Sequence, residues 1–123
     1  MTDPQTFRKR PVVIEAMQMP SAYPAGEDPS SDGYARNISA AQIYNWIERN
    51  TLGTFESLDR IEGCKPWPPS GVSIDPRDGR LIIATLEGAH WVDLGDWVIR
   101  GVQGEFYPCR DDIFRQTYEP VED

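Results

Sequence analysis

The chain has 123 residues, a formal net charge of −8, and 39% hydrophobic and 26% charged residues. Those values suit one soluble globular domain with a modest core and exclude a disordered polyelectrolyte. The acidic balance disfavours nucleic acid, whose phosphates such a surface repels, and no run approaches the ~18 apolar residues of a membrane span.

Residues 1–10 form a polar lead-in that ends in Arg8-Lys9-Arg10, a solvated basic edge. Pro11 to Met19 reads as the first strand, with Val12, Ile14 and Ala16 on one face and Val13, Glu15 and Met17 on the other. Residues 20–36 hold three prolines and three serines and predict a long loop, with Tyr23 and Tyr34 available to pin it. Ile38 to Asn50 predicts the main helix. Ser39 is its expected N-cap, Gln42 the capping-box partner, Ile43, Trp46 and Ile47 the apolar stripe, and Asn50 and Gly53 the stop.

Thr54 to Leu58 predicts a short strand and Arg60 to Gly71 a loop, because Lys65-Pro66-Trp67-Pro68-Pro69 suits neither a helix nor a central strand. From Gly71 the chain reads as a meander. Strands at Val72–Ile74, Arg80–Leu86, Ala89–Val92, Asp96–Val102 and Glu105–Tyr107 are separated by turns at Asp75–Gly79, Glu87-Gly88, Leu94-Gly95 and Gln103-Gly104. Cys109 to Phe114 predicts a helical turn, and Gln116 to Val121 a last strand that pairs with the first. The expected fold class is α+β: one domain with a small, strongly bent antiparallel meander or partly closed barrel and one main helix packed on it.

The two ends of the chain also carry a resemblance. It rests on Arg8-Lys9-Arg10-Pro11-Val12-Val13-Ile14-Glu15-Ala16, on Thr85-Leu86-Glu87-Gly88, on the run Gly95-Asp96-Trp97-Val98-Ile99-Arg100-Gly101-Val102-Gln103-Gly104-Glu105-Phe106-Tyr107-Pro108-Cys109, and on Asp112-Ile113-Phe114 and Thr117-Tyr118-Glu119. In that order they are similar to a family of small proteins encoded by tailed bacteriophages and prophages, including those of actinobacteria. Met19 to Gly79 adds nothing to the likeness. Where the family pattern has Lys-Pro after the cysteine, this chain has Arg110-Asp111, which keeps a basic residue and removes a rigid turn. The resemblance implies a phage protein made in a bacterial host, and it implies no activity and no catalytic residue.

No phosphate-binding loop, GxSxG or HExxH motif is present. Two cysteines, Cys64 and Cys109, are too few for a disulfide framework and have no zinc-ligand spacing. The polar start Met1–Gln5 lacks a secretory leader pattern, so the expected compartment is the host cytoplasm. Cys109 beside Arg110 has the surroundings of an activated thiol, with His90 as its base, but a buried structural thiol is the simpler reading. Asp93 and Asp96 read as turn residues, and Asp111 and Asp112 as helix-start acids, rather than as metal ligands. Arg100 shares a face with Val98 and Val102 and needs an anion there if that face is inside, or else pairs at the surface with Glu105 or Glu15. Trp67 either caps the core or lines a groove.

The expectation is therefore a binding protein with no catalytic residue, metal or cofactor. Its contact residues are Arg100, Tyr107, Cys109, Trp91 and Trp67, and its partner is a host protein or a small molecule. A virion or assembly component is the alternative, and an enzyme a distant one. Exposed strand edges are compatible with a homodimer.

Overall fold

The computed structural model describes residues 3–20, 38–63 and 65–121. In chain order the elements are β1 (Glu15–Gln18), α1 (Ile38–Arg49), α2 (Leu58–Ile61), β2 (Gly71–Ile74), β3 (Leu81–Thr85), β4 (Gly88–Val92), β5 (Trp97–Arg100), β6 (Phe106–Cys109) and α3 (Asp111–Thr117). The fold is α+β. The strands form two antiparallel three-stranded sheets, one ordered β1-β5-β6 and the other β2-β3-β4. The expected meander is therefore split. The turn from Asp93 to Asp96 carries the chain from the edge of one sheet to the centre of the other. No barrel closes among the described residues.

The core follows from strand alternation. Val72, Leu81, Ile83 and Val92 share the inner face of the β2-β3-β4 sheet, and Val98 and Phe106 the inner face of the other. Between them α1 supplies Ala40, Ile43 and Ile47, which recur at helical spacing and are all buried. Trp46 packs edge-on to Phe106 with ring centroids 5.0 Å apart, so it belongs to the core as expected. The helix stops where Asn50 Nδ2 donates to the Trp46 carbonyl and Thr51 Oγ1 to the Ile47 carbonyl. The Ser39 cap and the loop over residues 21–36 lie outside the described side chains and residues.

Three strand expectations are corrected. The first strand pairs only over Glu15–Gln18, because its partner β5 ends at Arg100, opposite Glu15. Residues 11–14 remain outside the ladder, without helix, turn or bend. Thr54 makes a single parallel bridge to Val72, and Leu58 already begins the one-turn α2. The last strand is absent: α3 runs to Thr117, and Tyr118 follows it in extended conformation. Phe114 and Tyr118, four residues apart, turn one aromatic face of α3 toward the sheet, which a strand over 116–121 cannot do. Phe114 stacks on Trp97 with a centroid distance of 4.0 Å and lies 5.1 Å from Tyr118. So α3 covers the outer face of the β1-β5-β6 sheet, and β1 remains an edge.

Candidate functional site

The five expected contact residues fall into three separate places. Trp67 and Trp91 meet on the outer face of the β2-β3-β4 sheet. Their rings are 5.8 Å apart and edge-on, and Phe55 lies 5.9 Å from Trp67 on its other side. This aromatic row covers Ile82, which is fully buried on the face opposite the main core. Ser73 Oγ donates to the Phe55 carbonyl and Ser57 Oγ to the Ile74 carbonyl, tying the loop to β2. Trp67 therefore caps a second, smaller core under the proline-rich loop.

Beside it lies Asp75, which has no exposed surface. Its carboxylate accepts from Trp91 Nε1 at 2.9 Å, from Arg77 Nε at 3.0 Å and Nη2 at 2.8 Å, and from the Arg77 backbone N–H at 2.9 Å. The Arg77 guanidinium holds the carboxyl far below the ordinary carboxylate range, and the other donors add to this against the opposing effect of burial. A charge so completely matched inside its own turn is a structural lock.

Arg100 lies at the rim of the inner face of the other sheet. It pairs with Glu15 across the ladder at 3.5 Å, and its guanidinium carbon stands 5.8 Å from the Phe106 ring centroid. Of its two anticipated partners it takes Glu15. Glu105 instead folds over Gly101 and accepts from the Gln103 backbone N–H.

Tyr107 and Cys109 alternate with Arg100 and face the opposite way, toward α3. Tyr107 lies beside Tyr118, and Lys9 Nζ donates to the Tyr118 hydroxyl at 2.8 Å. Burial and the neighbouring Tyr118 hydroxyl raise Tyr107 well above the ordinary phenol range, whereas the Lys9 ammonium lowers Tyr118. Burial also raises the Cys109 thiol, reinforced by Asp96 and Asp112. That is the reverse of what a nucleophile requires. Cys109 Sγ donates to the Arg110 carbonyl at 3.6 Å, while His90 bonds Thr85, so the alternative of an activated thiol with His90 as its base finds no support.

A cleft of about 800 Å³ opens between the end of α1, the β3–β4 hairpin and the β5–β6 hairpin. Asn50, Thr85, Glu87, His90, Glu105 and Tyr107 are among its lining residues. Of the five expected residues only Tyr107 reaches it. Its full charges are the carboxylates Glu87 and Glu105, and no Lys or Arg lines it. Leu86, Tyr107 and Pro108 contribute its apolar lining, whereas the Phe106 side chain, also at its edge, is buried in the main core.

His90 and Thr85 belong to this site and were missed as contact residues. Their signal was present: a two-residue turn at Leu86-Glu87 pairs Thr85 with Gly88 and Ile83 with His90, so the hydroxyl and the imidazole share one face. The atoms are 3.1 Å apart. The hydroxyl also accepts the Glu87 N–H and approaches the Gly88 carbonyl at 3.3 Å, so the turn itself already uses it.

Among the described residues no group of three or more His, Cys, Asp or Glu side chains could hold a metal ion, and no helix is long and apolar enough to cross a membrane. Comparison with protein-family models, with curated proteins and with solved structures finds no match to this chain.

Proposed function

We propose that this chain is a phage-encoded accessory protein that acts in the cytoplasm of the bacterial host by binding, with the cleft as its contact surface for a host protein or a small ligand. The phage origin rests on the resemblance at the two ends of the chain. The binding role rests on one observation: a cleft of about 800 Å³ whose lining combines Leu86, Tyr107 and Pro108 with His90 and two carboxylates. Binding pockets typically span roughly 300–1,000 Å³ and combine apolar walls with a few polar groups. The role needs no catalytic step. Of the five residues first expected to make contact, Tyr107 is kept, with His90, Glu87 and Glu105 added to it.

A second reading, a virion or assembly component, is favoured by exposed apolar side chains. Phe7 is 84% and Leu86 90% accessible, as apolar residues at subunit contacts would be before assembly. Affinity capture from infected cells with the native chain and with His90→Ala and Tyr107→Ala variants separates the two. The binder reading expects one host partner or ligand, lost with the cleft variants. Recovery of the chain only in purified virions overturns it.

A further inference from the structure

The charges around the cleft are one-sided. Glu87 comes from the β3–β4 hairpin and Glu105 from the β5–β6 hairpin, and the lining holds no Lys or Arg. The arginines of the same two hairpins pair elsewhere. Arg80, just ahead of β3, holds Asp78 and Asp93, and Arg100, at the end of β5, holds Glu15. Glu105 accepts the Gln103 backbone N–H with one oxygen and keeps its charge. Neither Glu87 nor Glu105 forms an ion pair among the described residues. A cation for this cleft therefore has to come from outside the chain.

The rim is apolar. Leu86 is 90%, Leu52 72% and Val102 67% accessible. Leu86 lines the cleft itself. Leu52 follows the lining residue Thr51 and donates its backbone N–H to Ser70 Oγ, on another lining residue. Val102 precedes the lining residue Gln103. The three thus come from the three segments that bound the cleft: the end of α1 and the turns of the two hairpins. Neither turn requires an aliphatic side chain, because its positive φ falls on glycine, Gly88 at +108° and Gly104 at +85°. One exposed aliphatic residue is ordinary, but three around one acidic cleft make a patch suited to burial under a protein surface. A small ligand held inside the cleft would leave Leu52 and Val102 in water.

We propose that the cleft takes a basic side chain of a partner protein, an Arg or Lys with apolar residues on either side of it. The cation meets Glu87 and Glu105, its aliphatic stem lies along Leu86, Tyr107 and Pro108, and the flanking residues cover Leu52 and Val102. Guanidinium suits carboxylates better than ammonium, because its planar fork can bond both oxygens. A phosphate backbone or an anionic lipid surface would meet two carboxylates and no cation. The proposal rests on the reading of the cleft as the contact surface and narrows that reading to one chemical class of partner.

The test is a titration of the isotope-enriched chain at low salt with three end-blocked tripeptides. They are Leu-Arg-Leu, Leu-citrulline-Leu, in which an uncharged urea replaces the guanidinium, and Leu-Glu-Leu. Leu-Arg-Leu should shift the Glu87, His90, Gln103 and Glu105 amides saturably, and the citrulline peptide should bind about tenfold more weakly, as two solvent-facing ion pairs allow. Glu87→Gln with Glu105→Gln should abolish that difference, and glutamine at 105 keeps an acceptor for the Gln103 N–H. Leu52→Ser with Val102→Ser should weaken Leu-Arg-Leu and leave its preference over citrulline intact. Equal affinity for the arginine and citrulline peptides, preference for Leu-Glu-Leu, or no saturable shift at the cleft overturns the proposal. So does spermidine binding as tightly as Leu-Arg-Leu, since that assigns the cleft to a free polyamine. Partner capture reports on the binding role separately. Equal arginine and citrulline affinity, with capture still lost in His90→Ala, removes the basic partner and leaves the role standing. Capture that is insensitive to both cleft variants overturns the role itself.

Discussion

Trp91 Nε1 donates a 2.9 Å hydrogen bond to the carboxylate of Asp75, sixteen residues earlier, and so ties the β2–β3 turn to the middle of β4. The same indole packs against Trp67, so one side chain joins the buried charge to the cap of the second core. Asp75→Ala removes the acceptor for a buried indole N–H and a turn amide, and the expected destabilisation is about 2–3 kcal/mol. Asp75→Asn keeps one oxygen and costs about 1 kcal/mol. Urea unfolding of the two variants beside the native chain measures both, and equal stability of all three contradicts the lock.

Acid sensitivity follows from the same residue. The Arg77 guanidinium, the Arg77 backbone amide and the Trp91 indole hold Asp75 below its ordinary value of 3.8 in the folded chain, against the opposing effect of burial. A carboxyl lowered on folding contributes stability that is complete above the unfolded value and is lost as pH falls toward the folded one. The native chain should therefore lose stability between about pH 5 and pH 2, and Asp75→Asn should lose less over that range. Thermal midpoints across the range provide the check, and parallel curves would assign the acid sensitivity to other carboxylates.

Two glycines of similar appearance in the sequence should respond in opposite ways. Gly71 opens β2 at φ +142°, and a Cβ there would meet the Gly53 carbonyl oxygen at 2.7 Å and the Phe55 ring at 3.1 Å. Backbone does not yield easily, so Gly71→Ala should cost about 2–4 kcal/mol. At Gly101 the obstacle is the Glu105 carboxylate, the far end of a flexible side chain, and the φ lies outside the left-handed range. Gly101→Ala should cost less than about 1 kcal/mol. Denaturant midpoints rank the pair, and the reverse order is incompatible with this packing.

The contrast also explains what could be read from the residues alone. Turns at Asp75–Gly79 and Gln103-Gly104 and the stripe Ile43, Trp46, Ile47 were legible, because φ preference and helical spacing are local properties. The division into two sheets was not, since nothing local shows that the Asp93–Asp96 turn changes sheets. Gln116 to Val121 misled for a similar reason. Its Tyr118 serves the aromatic face that starts at Phe114, and only the stacking on Trp97 shows that the helix continues to Thr117. At the site, alternation correctly set Arg100 opposite Trp97 and Ile99, yet it could not reveal that Tyr107 would share a cleft with His90 from another hairpin. Sites built between sheets depend on packing, which pattern does not encode.

Cys109 offers a chemical measurement. Burial raises its thiol, and Asp96 and Asp112 raise it further, against a smaller opposite effect from Lys9. Its thiolate fraction at neutral pH is therefore smaller than that of an unstrained peptide cysteine, and alkylation should be correspondingly slower. Iodoacetamide labelling at pH 7.5, resolved by mass spectrometry of the Cys109 peptide, gives the rate against a peptide control. Unfolding in urea should restore the control rate. A rate faster than control would revive the activated thiol.

The docking of α3 is the last testable contact. Asp111 anchors the helix start, accepting from Trp97 Nε1 at 2.9 Å, from Arg115 Nε at 2.9 Å and from Gln18 Nε2 at 3.1 Å. Three residues further along the helix, Phe114 stacks on the same indole at 4.0 Å. The two contacts grip Trp97 by its polar edge and its flat face, so they should be separable. Phe114→Ala removes the ring contact of a half-buried side chain and should cost about 1–2 kcal/mol. Asp111→Asn keeps an acceptor for the indole but loses the charge that Arg115 pairs with, and it should leave stability nearly unchanged. Near-UV circular dichroism reports the Trp97 environment directly. The signal should collapse in Phe114→Ala and persist in Asp111→Asn, and an unchanged signal in Phe114→Ala would mean that α3 does not cover this face.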